Sequence, residues 1–258
     1  MQLRGKTVYI TGGTGGIGTP LVDRLRSAGA QVTVHDLKRD GDLVETIDRI
    51  CQYLANNTPD ILINMAGYNV FDYCENQNLK AIVDLNMMVP MRLSQAVLPG
   101  MKSRGSGHIV NIGSMTALIP LPHLTGYVSA KAGLKGFSDS LRRELGGTDI
   151  AVTYIVPRAV KTGMNTGLRA EINDRTKVTY DDPRRVAMRI FHAIEKREKE
   201  VRIGWPERLF AFINAIFPRV IDNGLRKNRK IGEDLLDQNK SKENEHEEKP
   251  VSVIRAAH

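Results

Sequence analysis

A tyrosine and a lysine four residues apart are the side chains whose types and spacing first indicate chemistry in this sequence. In TGYVSAKAG (residues 125–133), Tyr127 precedes Lys131 among small residues. Positions i and i+4 share one face of a helix, so the phenol and the ammonium would be neighbours there. Of the seven tyrosines, Tyr127 alone has a lysine at this spacing. One such pair among seven can arise by chance, so its meaning depends on the surrounding elements.

A glycine-rich segment, TGGTGGIG at 11–18, follows the first predicted strand and opens the first predicted helix. A dinucleotide pyrophosphate needs free backbone N–H groups at a helix N-terminus, and Cβ atoms would block its approach. The segment matches G-x-G-x-x-G from Gly13 and T-G-x-x-x-G-x-G from Thr11. A tight turn also selects glycine, but the position between a strand and a helix favours a dinucleotide site.

Asp36 ends the second predicted strand, eighteen residues after Gly18. A carboxylate there can accept hydrogen bonds from the adenosine ribose hydroxyls and repels a 2′-phosphate, which favours NAD over NADP. Two complications stay open. Asp36 could be a solvated residue at the end of a strand, and the nearby charges of Lys38 and Arg39 act against this discrimination.

Apolar, β-branched runs alternate with amphipathic segments along most of the chain. We predict strands at 6–11, 31–36, 60–64, 108–113 and 150–156, a strand-like segment at 201–204, and helices at 17–28, 43–55, 127–145 and 183–199. Residues 78–103 are predicted to be helical except at Pro90 and Pro99. Alternating strands and helices with short links indicate βαβ units. The expected fold class is α/β, a Rossmann-like doubly wound parallel sheet with helices on both faces.

Length and composition suit one such domain. The chain has 258 residues, 41% of them hydrophobic and 26% charged. We predict a catalytic domain over 1–204, with a cofactor half at about 1–113 and a substrate half at about 114–204. Cys51 and Cys74 lack a metal-like spacing, so no metal site is expected. The sequence shows no signal-peptide pattern and no apolar run of roughly 20 residues, which favours a cytoplasmic location.

The C-terminal region concentrates positive charge and phenylalanine. Between Arg184 and Lys230 stand 13 basic and 5 acidic residues, an excess that equals the net charge of +8. Residues 205–238 are predicted to form an apolar and basic helical extension, and the polar tail 239–258 to be disordered. The extension could cover the substrate pocket or a subunit interface, or it could lie on an anionic membrane through 205–230. Its phenylalanines form an apolar block, so nucleic-acid binding is not expected.

Together, the segments from about Lys6 to Thr162 resemble the short-chain dehydrogenase/reductase family. Ser114, thirteen residues before Tyr127, resembles the family's catalytic serine, and YVSAK resembles its Y-x-x-x-K motif. Asn86, in VDLNMM, resembles the asparagine of its long central helix. The other matches are the loop TGGTGGIG, INMAG at 63–67 for N-N-A-G, and VPRAVKT at 156–162 for P-G-x-x-x-T, with Met65 and Arg158 as departures.

The resemblance implies an NAD(P)-dependent oxidoreductase that interconverts a secondary alcohol and a ketone by hydride transfer. Ser114 would donate a hydrogen bond to the substrate oxygen, and Tyr127 would transfer the proton. Lys131 would lower the pKa of the phenol from about 10 and would hold the nicotinamide ribose. Asn86 would position a water molecule that links the lysine to solvent.

The resemblance also implies a cofactor site that prefers NAD to NADP. Gly15 is neutral where NADP-preferring members often carry a basic residue. The stretch from Asp36 to Asn64 is short for the family, so the helix after the second strand is expected to be missing, with Asp42 and Leu43 at the adenine. The implied cofactor-binding residues are Gly12, Thr14, Gly15, Gly16, Ile17, Gly18, Asp36, Asp42, Leu43, Asn64, Ala66, Gly67, Tyr127, Lys131, Pro157, Val160 and Thr162.

Assembly and lid are further implications of the family. A homodimer or homotetramer would form through the helices at 78–103 and 127–145. The loop 163–182 stands where the family places its substrate lid, and Arg158 would narrow the backbone near the nicotinamide.

Two functions stay open. The first is the oxidoreductase, and the apolar extension indicates a hydrophobic substrate such as an acyl chain, a steroid or another lipid. The second is a catalytically silent NAD(H)-binding sensor or scaffold, associated with a membrane. Such proteins often lack the tyrosine or the lysine. The oxidoreductase is therefore favoured by a complete set of Asn86, Ser114, Tyr127 and Lys131.

Overall fold

A computed structural model describes residues 1–164 and 166–247, with the backbone alone for Trp205, Pro206 and 242–247. Within these residues, six strands form one parallel sheet in the order β2-β1-β3-β4-β5-β6. In chain order the strands are β1 (Thr7–Thr11), β2 (Gln31–His35), β3 (Ile61–Asn64), β4 (Gly107–Ile112), β5 (Ile150–Val156) and β6 (Glu200–Arg202). The six predicted strands are therefore confirmed, each to within two residues.

Ten helices accompany the sheet in the described part of the chain. They are α1 (Gly18–Ser27), α2 (Leu37–Asp40), α3 (Ile47–Asn56), α4 (Leu79–Val83), α5 (Val89–Arg104), α6 (Thr125–Glu144), α7 (Leu168–Arg175), α8 (Pro183–Lys196), α9 (Trp205–Ile216) and α10 (Pro218–Glu247). Leu21 of α1 and Phe191 of α8 are buried in the core on one face of the sheet. Leu54 of α3, Leu93 of α5 and Leu141 of α6 are buried on the other face. The predicted doubly wound α/β fold, with helices on both faces, is confirmed.

The strand order reverses at β1, and this reversal sets the place of the site. The chain runs from β1 through α1 to β2 on one side, and returns through α3 to β3 on the other. Thr11, the last residue of β1, is paired with His35 on one side and Asn64 on the other. The connections diverge there, so a crevice opens at the carboxyl ends of the strands, which is where such sheets bind ligands.

The helical segment after β3 is continuous, and the prediction that Pro90 and Pro99 interrupt it was wrong. A π-helical turn at Asp84–Met88 joins α4 to α5. Pro90 directly follows the π-helical turn as the second residue of α5, and α5 continues through Pro99. It ends at Gly105, whose φ of 73° closes the helix in the left-handed region.

The segment after β2 differs in detail from the prediction. The helix that was expected to be missing is present as the single turn α2. The next helix begins at Ile47 rather than at residue 43, because Asp42 folds the chain into a turn first. The Asp42 carboxylate accepts a hydrogen bond from the backbone N–H of Val44 at 2.7 Å.

The C-terminal region is helical over more of its length than its composition indicated. Leu235 and Leu236 of α10 are buried against Phe71, Leu124 and Ile172. From this packed part α10 continues to Glu247, so the prediction of disorder was wrong for 239–247. The rest of the predicted disordered tail, 248–258, lies outside the described residues. No helix in the part of the chain that the structure describes is long and apolar enough to cross a membrane.

Candidate active site

Ser114 lies where the chain leaves β4 and caps a short 3-10 turn at Met115–Ala117. Its hydroxyl oxygen accepts hydrogen bonds from the backbone N–H of Thr116 at 3.2 Å and from the Thr116 hydroxyl at 2.9 Å. The Ser114 hydroxyl is also close enough to the Tyr127 phenol to lower its pKa. The strand end and the first turn of α6 therefore bring a hydroxyl and a phenol together, as the sequence predicted.

Tyr127 and Lys131 share one face of α6, directed into the protein. Their exposed fractions are 8% and 4%. The lysine Nζ lies 5.7 Å from the centre of the tyrosine ring. It donates a hydrogen bond of 2.9 Å to the carbonyl oxygen of Ile112, the last residue of β4. This bond holds the ammonium at the carboxyl end of the sheet, beside the phenol.

Burial is the main influence on the pKa of both groups. It raises the pKa of the Tyr127 phenol, while the nearby Ser114 hydroxyl and the charge of Arg169 lower it. The raised direction is opposite to the one that the resemblance implied for Tyr127. Burial lowers the pKa of Lys131 to about 8, so the ammonium is still charged at neutral pH.

Asn86 lies in the π-helical turn and is fully buried. Its side-chain NH2 donates to the carbonyl oxygens of Ile82 and Tyr68, each at 2.9 Å. Its Oδ1 has no hydrogen-bond partner among the described residues. A Cβ added at Gly67 would lie 2.5 Å from this Oδ1 and 3.6 Å from Lys131 Nζ, so both polar atoms face the same glycine. An acceptor oriented in this way suits a water molecule beside the lysine.

The glycine loop after β1 is tightly coiled and leaves backbone donors free. A Cβ added at Gly12, where φ is 71°, would lie 2.7 Å from the backbone nitrogen of Ala66. A Cβ added at Gly18 would collide with the carbonyl oxygen of Gly12. No side chain caps α1, and its first turn carries no acidic residue. These features fit the pyrophosphate of a dinucleotide at the N-terminus of α1.

Asp36 directly follows β2 and caps α2. Its Oδ1 accepts hydrogen bonds from the backbone N–H groups of Lys38 and Arg39 at 3.1 and 3.2 Å. The guanidinium of Arg39 is paired with Asp40 at 2.7 Å, which reduces its availability for a cofactor phosphate. Leu43 is buried in the core beside Tyr9, behind this end of the crevice.

A cavity of about 430 Å³ opens beside the phenol. Seven of the predicted cofactor residues line it: Ile17, Gly67, Tyr127, Lys131, Pro157, Val160 and Thr162. Ser114 lines it too, whereas Asn86 lies behind Gly67. The side chain of Asn64 is buried in the core, where its NH2 group donates to Asn111 Oδ1 at 2.8 Å.

Arg158, which stands in place of the family's glycine, joins three segments around the cavity. Its guanidinium makes two hydrogen bonds to Asp181, at 2.9 and 2.7 Å, and one to Glu207 of α9 at 3.2 Å. The narrowing of the backbone near the nicotinamide stays a prediction. The arginine connects the end of β5 to the segment before α8 and to α9.

Sequence reasoning missed two polar residues of α7 in the wall of the cavity, Arg169 and Asn173. The loop that contains α7 was expected to be a lid, but its polar sequence indicated no ligand. Asn173 is buried and donates to the hydroxyl of Tyr180 at 3.0 Å. The alternation of charged residues along α7 gave no signal that Arg169 is directed inwards.

Similar proteins identify the family. The model of the short chain dehydrogenase family matches residues 35–173. "Dehydrogenase/reductase SDR family member 7B" of Danio rerio is 28% identical, with 78% of this chain and 77% of that protein covered. D-xylose 1-dehydrogenase of Caulobacter vibrioides is 32% identical, with 62% and 74% covered.

Solved structures share the fold. A short chain dehydrogenase from Burkholderia cenocepacia in complex with NADP has a TM-score of 0.75 at 21% identity and covers 88% of this chain and 100% of its own. A 3-ketoacyl-(acyl-carrier-protein) reductase from Brucella melitensis complexed with NADH has a TM-score of 0.69 at 21% identity, with 78% and 97% covered. The family model spans more than half of the chain. This protein therefore belongs to the short-chain dehydrogenase/reductase family, oxidoreductases that act on CH–OH and C=O groups with a nicotinamide cofactor.

Proposed function

We propose that this protein interconverts a secondary alcohol and a ketone, with Tyr127 as the acid–base group. The observation that carries the proposal is that Ser114, Tyr127 and Lys131 all line the cavity, with Lys131 Nζ 5.7 Å from the centre of the Tyr127 ring. A sensor that had lost catalysis would have no use for this arrangement. No contact in the described residues favours that second function.

The proposed roles follow from the contacts. In the direction of reduction, the Ser114 hydroxyl donates a hydrogen bond to the substrate oxygen, and Tyr127 delivers the proton to it. The two bonds from Thr116 fix the orientation of the serine oxygen. The Lys131 ammonium stabilises the phenolate that remains, and Asn86 Oδ1 holds a water molecule through which the proton is replaced. The bound nicotinamide supplies the hydride.

We propose NAD as the preferred cofactor. The loop from Gly12 to Gly18 and the N-terminus of α1 would hold the pyrophosphate, and Lys131 would hold the nicotinamide ribose. Asp36 would accept hydrogen bonds from the adenosine ribose. The ion pair between Arg39 and Asp40 supports this preference, because it withdraws a cation that a 2′-phosphate would need.

Asp36→Asn is expected to weaken the preference for NADH over NADPH by about 10- to 100-fold. Asparagine is as good an N-cap as aspartate, so α2 should persist while the charge that repels a 2′-phosphate is lost. The ratio of kcat/KM for the two cofactors measures the effect. Asp23→Asn, at an exposed position of α1, is the matched control. An unchanged ratio would leave Asp36 with its capping role alone.

The cavity walls support a largely apolar substrate. Apolar side chains of Met115, Ile119, Leu121, Met164 and Val178 line the cavity next to the hydroxyl and the phenol. These apolar walls suit an acyl chain, a steroid or another lipid-like molecule.

We also propose a cytoplasmic location, with peripheral contact at the inner face of a membrane through 205–230. An apolar ridge on α9 and the start of α10 is exposed. It consists of Leu209, Phe210, Phe212, Ile216, Phe217 and Val220. Exposed basic residues flank the ridge at Arg208, Arg219, Arg226 and Lys227. Apolar residues between cations match the interface of an anionic bilayer. The homodimer or homotetramer stays a prediction.

Replacing Phe212 and Phe217 together by serine is expected to lower the partition onto phosphatidylserine-containing vesicles by about 100-fold. The two side chains are 60% and 62% exposed, and each buried phenylalanine contributes about 1.5 kcal/mol or more. Pelleting with the vesicles measures the effect. Leu37 and Tyr53, also exposed, provide the matched control when both are changed to serine.

Two results would contradict the membrane proposal. One is unchanged pelleting of the double variant. The other is a loss of self-association in sedimentation by the same variant, with no vesicle binding by the wild type, because the apolar ridge would then be a subunit interface.

A further inference from the structure

Arg169 lies in the wall of the cavity as a cation for which the described residues provide no ion-pair partner. It lies in α7, is half-buried, and its Nε is buried with no hydrogen-bond partner. Among the described residues, no carboxylate is close enough to form an ion pair with its guanidinium. Arg158, the other arginine of the same cavity, is fully paired with Asp181 and Glu207. The two arginines therefore have different roles: one joins segments of the protein and the other faces open space.

The surroundings of Arg169 make an unpaired cation costly. Burial lowers the pKa of its guanidinium, which shows that the charge is partly removed from water. Arginine stays protonated in proteins, so the charge persists. An arginine half removed from water and without an anion destabilises the protein unless a ligand supplies that anion. Asn173, its neighbour on α7, already donates to Tyr180.

The position of Arg169 associates it with the reacting end of the cavity. Its charge is close enough to Tyr127 to lower the pKa of the phenol. The glycine loop and the N-terminus of α1 already fit the cofactor pyrophosphate without Arg169. We therefore expect the anion that pairs with Arg169 to be a group of the substrate rather than a phosphate of the cofactor.

We propose that Arg169 binds a carboxylate of the substrate, so that the substrate is an amphipathic oxo acid or hydroxy acid rather than a wholly apolar ketone. The planar guanidinium suits bidentate binding of a carboxylate. The apolar part of the molecule would lie against Met115, Leu121 and Val178. This inference rests on the proposed function, because it names the substrate class of the same site.

The test is calorimetric binding of decanoate and of decanamide, with and without NADH. The two probes have similar size and apolar surface and differ in charge. Wild type is expected to bind decanoate about 10- to 100-fold more tightly than decanamide. Arg169→Gln should remove that difference without changing decanamide binding, and Arg169→Lys should keep part of it. Arg175→Gln is the matched control, since Arg175 lies on the same helix but is exposed and paired with Glu171.

Three results would overturn the proposal. One is equal binding of both probes by the wild type. Another is weaker NADH binding by Arg169→Gln with unchanged decanoate binding, which would assign the arginine to the cofactor. The third is a shifted pH profile of turnover with unchanged decanoate binding, which would make Arg169 a positioning residue for Tyr127. A wild type that binds decanoate selectively but turns over no oxo acid would overturn the proposed reaction and leave carboxylate binding intact.

Discussion

Tyr127→Phe is expected to lower kcat by about 10²- to 10⁴-fold while NADH binding stays close to that of the wild type. General acid–base catalysis contributes about this much, and the variant removes only the proton donor. The ring is buried, so phenylalanine keeps its packing. The variant also removes the interaction of the phenol with Ser114, which lowers the pKa of Tyr127. The loss of NADH absorbance with long-chain 3-oxoacyl esters, oxosteroids, oxo acids and short polar ketones measures the effect.

Tyr73→Phe provides the matched control for this experiment. The Tyr73 hydroxyl donates a hydrogen bond to Asp237 at 3.2 Å and makes no contact with the proposed catalytic residues among the described residues. Loss of the Tyr73 hydroxyl should therefore leave turnover unchanged. Two results would contradict the role of Tyr127 as the acid–base group. In one, Tyr127→Phe keeps more than about a tenth of wild-type turnover. In the other, the wild type binds NADH tightly but reduces none of the compounds, which would favour the sensor.

Short-range sequence patterns predicted the strands of the sheet and the start of α8. The dipeptide Asp182-Pro183 is typical of a helix start, with aspartate as the cap and proline at the first helical position. In the structure the Asp182 carboxylate accepts hydrogen bonds from the backbone N–H groups of Arg184 and Arg185 at 2.9 and 3.0 Å. Such caps, and strands buried on both faces, depend on residues close together in sequence, so the pattern alone predicts them.

The sequence could not predict features that depend on distant contacts. The π-helical turn that directs Asn86 towards Gly67 has no local signature, and it is held by the bond from Asn86 to the carbonyl oxygen of Tyr68. The helix at 239–247 has a composition typical of disorder. It extends from a part of α10 that is already packed through Leu235, and adding residues to an existing helix costs far less than starting one.

The candidate site also combines features that the sequence predicts with features that it does not. The spacing of Tyr127 and Lys131 follows from helix geometry, and the structure confirms that they share a face. The direction of the phenol's pKa was not predictable, because it depends on how deeply the folded protein buries the ring. Arg169 was not predictable either, since nothing in a short polar loop shows which side chain faces a cavity.

Lys131→Met is expected to lower kcat by about 100-fold or more. The variant keeps much of the length and apolar packing of the side chain but removes the ammonium that stabilises the phenolate and would hold the nicotinamide ribose. It should therefore weaken NADH binding as well, unlike Tyr127→Phe. Stopped-flow turnover together with NADH titration separates the two effects. Unchanged turnover in Lys131→Met would exclude the proposed role of the lysine.

The same variant is expected to be more stable than the wild type near pH 7, and that advantage should shrink as the pH rises. The pKa of Lys131 is about 8 in the folded protein, against 10.5 when the side chain is in water. Below pH 8 the ammonium is charged in both states, so the folded protein bears the full cost of burying it. Above that, the unfolded chain binds more protons than the folded protein, and the free energy of unfolding rises with pH.

By about pH 9 the difference in the free energy of unfolding between Lys131→Met and the wild type should have fallen by on the order of 1 kcal/mol. Urea unfolding measures this difference. Lys135→Met, one helical turn further on, is the control. Lys135 is paired with Asp139 and Glu200, so its removal should lower stability rather than raise it. A constant difference between wild type and Lys131→Met over this range would show that the folded protein does not bear the cost of a buried ammonium. A raised stability at neutral pH combined with lost turnover would identify Lys131 as a residue that the fold retains for chemistry at the expense of stability.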